Sequence, residues 1–193
     1  MGRDADCYRR YLDGDDDGLR EIIDIYYNGL ILFINGIVKD QSAAEDILED
    51  TFVKLAVRKY EYNGKASFKT WLYTIARNSA INYLKRNRNR ISDQPVEEYI
   101  MLSDGTDVEK EFLRTEQNTE LRRAMEKLKP DYYQVLYLAY FEDMDIENTA
   151  RIMGRTKRQI SNLLYNAKSS LRSVMEKAGF QYENIKRNGR RRA

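Results

Sequence analysis

The sequence predicts an all-α fold, and three observations carry the prediction. Its 193 residues include only two Pro and ten Gly, few for a strand-and-turn architecture, while the residues that lose least side-chain freedom in a helix (Leu, Ala, Lys, Arg, Glu) are plentiful. Apolar residues recur at three- and four-residue steps over long stretches. Ser, Thr and Asp stand just before those stretches, where a helix needs acceptors for its first free N–H groups. The length suits one large or two small domains.

Leu19, Ile22, Ile23, Tyr26, Leu30, Phe33, Ile34 and Ile37 lie on one face of a first helix starting near Asp17. Ser42-Ala-Ala-Glu45 has the spacing of a capping box for a second helix, whose stripe Ile47, Leu48, Thr51, Phe52, Leu55 and Ala56 runs to about Tyr60. After the loop Tyr62-Asn-Gly-Lys-Ala66, Ser67 caps a third helix, with Phe68, Trp71, Leu72, Ile75, Ala76, Ser79, Ala80, Tyr83 and Leu84 inward and a basic end at Lys85-Arg86. Three such helices can share a core, so residues 8–90 are expected to form one domain. Residues 91–107 hold no sustained period and contain Pro95 and Gly105, the marks of a linker.

A helical pattern resumes at Val108 through Phe112, Leu121, Met125 and Leu128, and Pro130 suits the first turn of the next helix. Asp145 caps IENTARIM, Gly154 offers a left-handed turn, and Thr156-x-x-Gln159 is a capping box opening a long basic helix that Gly179 would end. Helix, glycine turn and basic helix make a helix-turn-helix pattern within a second domain, 108–178. The basic tail 179–193 has no period and is expected to be disordered.

Composition closes most catalytic routes. There is no His and one Cys, which removes the usual general base, the usual metal ligand and any disulfide framework. Neither a metal nor a cofactor is expected, and Cys7 reads as a plain thiol near a mobile end. Asp13-Gly-Asp15-Asp-Asp17-Gly18 resembles a calcium loop, but its twelfth position is Asp24 and its eighth Arg20, where a bidentate Glu and an apolar residue belong. Acidic residues at a helix start explain it better. No apolar run approaches the ~18 residues of a membrane span, and the N-terminus lacks the apolar segment of a secretory signal. A cytoplasmic protein without membrane insertion is expected.

Charge distribution points to the partner. The total is nearly balanced, 33 Lys+Arg against 31 Asp+Glu, yet residues 65–90 hold seven basic and no acidic residues, 149–193 hold twelve and two, and the intervening 91–120 hold two and nine. Two separate basic segments suit a polyanion gripped at two places. In the third helix Arg77, Asn78, Asn82, Lys85 and Arg86 accompany aromatic residues, a combination that serves an unpaired strand with exposed bases. At the start of the last helix Arg155, Lys157, Arg158, Gln159, Ser161, Asn162 and Asn166 lie where a recognition helix meets base edges, with Lys168 farther along.

Asp46-Ile-Leu-Glu-Asp-Thr-Phe52, Ser67-Phe-Lys-Thr-Trp-Leu-Tyr-Thr-Ile-Ala-Arg-Asn78 and Asn82-Tyr-Leu-Lys-Arg86 strongly resemble region two of the ECF-type bacterial sigma factors. Residues Leu121 to Met175 resemble region four of that family. The resemblance implies a non-enzymatic initiation factor of two helical domains that joins the RNA polymerase core and directs it to promoter DNA. It implies that Asp46, Leu48, Glu49, Asp50 and Phe52 dock on the clamp helices of the largest subunit, and that region four meets the flap of the second largest. Tyr62, Asn63, Gly64, Lys65, Arg77, Asn78, Asn82, Lys85 and Arg86 would melt and read the −10 element, and the helix from Thr156 the −35 element. A cognate anti-sigma factor is a further partner the resemblance admits. Glu49-Asp50, Ala56 and Ser161-Asn-Leu163 depart from the family's usual residues, so the −35 preference cannot be borrowed. Without the region-two segments, the remaining alternative is a helix-turn-helix regulator acting without polymerase.

Overall fold

The computed structural model describes residues 2–58, 62–87 and 120–178, and among these it is helical with no strand. Four helices make the N-terminal unit: α1 Arg3–Leu12, α2 Asp16–Val38, α3 Gln41–Arg58 and α4 Phe68–Arg86. The C-terminal unit comprises α5 (120–126), α6 Pro130–Tyr140, α7 Ile146–Met153 and α8 Lys157–Lys177. The linker 91–107, the tail 179–193 and the expected helical stretch from Val108 to residue 119 lie outside the described residues.

Helix α1 begins before the expected domain boundary at residue 8. It buries Ala5, Cys7, Tyr8 and Tyr11 against α2 and α4. Cys7 is therefore a core residue whose Sγ donates to Glu21 at 3.3 Å, and not a thiol at a mobile end. The three-residue steps of Ala5, Tyr8 and Tyr11, with Cys7 four before Tyr11, carry the helical signal, but the acidic string beginning at Asp13 masks it. That string serves as punctuation: Asp15 caps α2 by accepting from Asp17 N, and Arg10 pairs with both Asp15 and Glu21. Arg10 accordingly holds both carboxyls below their ordinary range.

The cap of α3 differs from the expected Ser42 box. Asp40 accepts from Ala43 N at 3.0 Å, so the helix starts at Gln41 and Glu45 pairs with the Gln41 amide. A carboxylate outcompetes a hydroxyl as acceptor because the bond is charge-assisted. The remaining caps agree with the sequence. Ser67 accepts from Thr70 N, Pro130 opens α6, Asp145 accepts from Asn148 N, Gly154 takes φ 63°, and Thr156 with Gln159 form a reciprocal box.

Helix α2 is the central strut, packing against α1, α3, α4 and α6. At 23 residues with a mean hydropathy of 1.3 over its most apolar window, it is long and apolar enough to match a membrane span, contrary to the expectation above. Its apolar side is instead spent on the core: Ile22, Leu30, Phe33, Ile34 and Ile37 are buried, while Asp24 and Asn28 are exposed. The core is continuous from one unit to the other. Phe33 of α2 lies 5.2 Å from the Tyr73 ring of α4 and 5.9 Å from the Tyr137 ring of α6, and α7 rests on α4.

Candidate nucleic-acid interface

Three surfaces gather the residues singled out by the sequence. On α3, Asp46, Glu49 and Asp50 are exposed, joined by Val53 and by Val57, which is 76% exposed. Val53 and Val57 extend the carboxylate face with two exposed apolar side chains one turn apart. Leu48 and Phe52 do not belong to this face. They are 1% and 8% exposed and point into the core, so their contribution is to hold α3 in place. The helical period makes this unavoidable, since residues at i and i+4 share a side and Leu48 and Phe52 share theirs with Ala44 and Leu55.

The second surface is the loop before α4 together with the outer side of α4. Gly64 takes φ 70°, a left-handed value, and the Asn63 side chain accepts from Lys65 N at 3.1 Å, fixing the turn. The Tyr62 hydroxyl donates to Ala66 O, and its ring packs on Phe68 and Trp71 at 5.6 Å each. Tyr62 thereby anchors the loop. Asn78, Asn82, Lys85 and Arg86 are exposed along the following turns. A shallow cavity of about 120 Å³ separates them from α3, with Asp50 and Lys54 on one wall and Ser79, Asn82 and Arg86 on the other. Lys54 donates to Ser79 across it at 3.1 Å.

Arg77 departs from this exposed set. It is half-buried, and its Nε donates to Gln134 Oε1 of α6 at 2.7 Å. Burial lowers its pKa, the nearby Asp131 opposes that shift and Arg155 adds to it. Lys65 also touches the C-terminal unit, its carbonyl accepting from Arg151 at 2.7 Å.

The third surface is the start of α8. Arg155, Lys157, Arg158, Gln159, Ser161, Asn162, Asn166 and Lys168 are all exposed, while Ile160 and Ala167 anchor the helix inward. Several of these side chains already have partners. Arg155 pairs with Asp131, and Lys157 pairs with Glu147, whose carboxyl is held low by Lys157 first and Arg151 second. Gln159 Oε1 accepts from Thr156 N at 2.9 Å, which commits its carbonyl to the cap and leaves its NH₂ to face outward. Lys168 sits 5.2 Å above the Tyr140 ring. Among the described residues no group of three or more His, Cys, Asp or Glu side chains could hold a metal ion.

The contact between the units is what sequence reasoning missed. Tyr133 and Tyr137 of α6 donate from their hydroxyls to Leu32 O at 3.1 Å and Gly29 O at 3.0 Å on α2. Lys39, in a left-handed conformation at the end of α2, donates to the carbonyls of Glu126 and Leu128. Lys69 of α4 pairs with Glu142, whose side chain is only 12% exposed. Gly29 and Gly36, one heptad apart on α2, are the sequence signal for it, because they share a face of the helix.

Both described units are helical, and the second ends in a capped helix-turn-helix. Residues 22–90 match the family model for sigma-70 region 2, and residues 118–171 match that for sigma-70 region 4. The chain is 27% identical over 84% of its length to RNA polymerase sigma factor YlaC of Bacillus subtilis, covering 94% of that protein. It is 25% identical over 80% of its length to ECF RNA polymerase sigma factor SigM of the same organism, covering 93% of that protein. The fold is shared with the sigma factor RpoE of Bartonella quintana in its complex with the anti-sigma factor NepR, at a TM-score of 0.65, 20% identity, and 81% and 96% coverage of the two chains. The chain belongs to the ECF-type sigma factors. It acts as an RNA polymerase sigma factor in transcription initiation.

Proposed function

We propose that the three surfaces divide the work of promoter recognition. The exposed acidic and apolar face of α3, with Asp46, Glu49, Asp50, Val53 and Val57, docks on the clamp helices of the largest polymerase subunit, and the C-terminal unit meets the flap of the second largest. The loop Tyr62 to Ala66 and the exposed Asn78, Asn82, Lys85 and Arg86 take the unpaired strand of the −10 element. Amides and cations beside a shallow cavity suit bases that have left the stack. The start of α8 enters the major groove at the −35 element, with Arg158 and Asn162 toward base edges and Lys157 and Lys168 toward phosphate.

The observation that carries this reading is the coexistence, on one chain, of an exposed carboxylate and valine face on α3 and an exposed Asn, Lys and Arg stripe on the adjoining α4. An autonomous DNA-binding regulator has use for the second but not the first. The acidic segment 91–107 would connect the units without adhering to DNA, and a cognate anti-sigma factor would compete for the same surfaces. The site of action is the cytoplasm, with the polymerase. Photocrosslinking of a probe at Asn82 in the initiation complex tests the assignment: it should label the unpaired non-template strand near −10. Labelling of duplex DNA alone would refute it.

A further inference from the structure

Helix α1 carries Asp4, Tyr8 and Tyr11 at steps of four and three, which puts them on one side of the helix. Each reaches an element that frames the loop Tyr62 to Ala66. Asp4 accepts from the Tyr26 hydroxyl of α2 at 2.6 Å. Tyr8, 1% exposed, packs its ring on Phe68 and Trp71 of α4, with centroids 5.3 and 5.5 Å away. The same two rings receive Tyr62 of the loop. Tyr11 donates from its hydroxyl to Ala56 O at 2.8 Å, in the last turn of α3, where carbonyls have no partner within the helix. Asp4 and Arg9 also border the Tyr62 hydroxyl: burial raises its pKa most, Asp4 adds to the rise and Arg9 opposes it. Helix α1 thus holds the end of α3 on one side of the loop and the start of α4 on the other.

From this we infer that α1 is the positioning element of the −10 site, with Tyr11 and Tyr8 fixing where the loop presents Asn63, Gly64 and Lys65 to the unpaired strand. The inference rests on the functional reading of the loop. A short surface loop has little packing of its own, so its place is set by the scaffold that holds its ends. The Asn63 side chain and Gly64 settle the shape of the turn, whereas Tyr11 and Tyr8 settle where that turn stands relative to α3 and α4. A donor or acceptor displaced by about 1 Å leaves hydrogen-bond range. Tyr8 and Tyr11 are buried and cannot themselves touch DNA, so their effect on base discrimination passes through the loop.

Tyr11→Phe tests the inference, since it removes one hydroxyl and keeps the ring in the core; circular dichroism and melting of the full chain check its folding. The assay counts heparin-resistant open complexes formed with core polymerase on a promoter recovered by run-off transcription from genomic DNA. Each non-template position of its −10 element is replaced in turn. Tyr11→Phe should reduce the preference for the natural −10 sequence over the replaced ones about fivefold, on the scale of the hydrogen bond removed. A merely structural hydroxyl would lower every sequence by one factor and leave the preference unchanged, a result that overturns the positioning role. In a chain already carrying Tyr62→Ala, Tyr11→Phe should remove little further preference, because both act through one loop. A full additional loss there overturns the role as well. Preference kept in Tyr11→Phe but lost in Tyr62→Ala sinks the positioning role alone, whereas preference kept in Tyr62→Ala shows that the loop is not the reader and brings down the functional reading with it.

Discussion

Replacing Thr156 by Ala separates the stability of the recognition helix from its base reading. The Thr156 hydroxyl accepts from Gln159 N at 3.2 Å, and Gln159 returns the bond to Thr156 N at 2.9 Å. Removing the hydroxyl leaves one N–H of the first turn to water and releases the Gln159 side chain, a loss of about 1 kcal/mol. That corresponds to roughly a fivefold change in the equilibrium for forming the first turn, and to a fall in melting temperature of about 2–4 °C for a chain of this size. Buried Ile160 and Ala167 still anchor α8, so the helix persists and only its start frays. Every −35 sequence should therefore lose affinity by the same factor. Arg158→Ala removes no cap but deletes a side chain directed outward from the first turn, and should cost about 1–3 kcal/mol at one base position only. The assay is run-off transcription over a library of −35 variants, with thermal melting of each protein and Thr156→Ser as a variant that keeps the acceptor. If Thr156→Ala reorders the library while Arg158→Ala lowers all members equally, the assignment of roles within this turn is wrong.

Asp50→Lys combined with Glu49→Lys should weaken binding to core polymerase with an unchanged melting temperature, whereas Phe52→Ala should cost about 3–5 kcal/mol of stability; pull-down and thermal denaturation of the same proteins separate the two. Burial raises the pKa of Tyr8 to about 12 and lifts Tyr26, Tyr73, Tyr133 and Tyr137 above the ordinary 10. Because these groups hold their protons more tightly when folded, stability is complete below pH 10 and is lost as pH rises beyond it. Tyrosinate absorbance should then appear in a step coincident with unfolding, and a smooth titration of all tyrosines in the folded protein would contradict their placement. On the acid side, Glu21 and Asp15 are depressed by Arg10, so their contribution is complete above their ordinary values of 4.5 and 3.8 and is lost as pH falls through the lower folded values. Arg10→Met should flatten the acid limb of a melting-temperature profile.

The helices and most of their caps were legible because both signals are local. Ser67, Asp145, Gly154 and Thr156 act within four residues of themselves, and the stripe of α2 shows its period directly. Helix α1 was obscured by its brevity and by the aspartates after it. The exposed candidates on α4 and α8 followed from period and charge, but Leu48 and Phe52 show the limit of motif matching: a motif marks which residues recur together, not which of them face out. The partners of Arg77, Lys69 and Gly36 were illegible for a different reason. Each lies on the other unit, more than ninety residues away for Gly36 and Tyr133, and although Gly29 and Gly36 mark one face of α2, no local pattern encodes which face of α6 meets it.

The central claim is that this chain delivers RNA polymerase core to promoters through two DNA surfaces and one polymerase surface. Run-off transcription with purified core polymerase on a genomic template library measures all three together. The account predicts discrete start sites that require the added protein, with a shared upstream element lost on Arg158→Ala and open-complex formation lost on joint replacement of Asn82 and Arg86 by Ala. DNA binding without any dependent start site, and no retention of core polymerase, would contradict it.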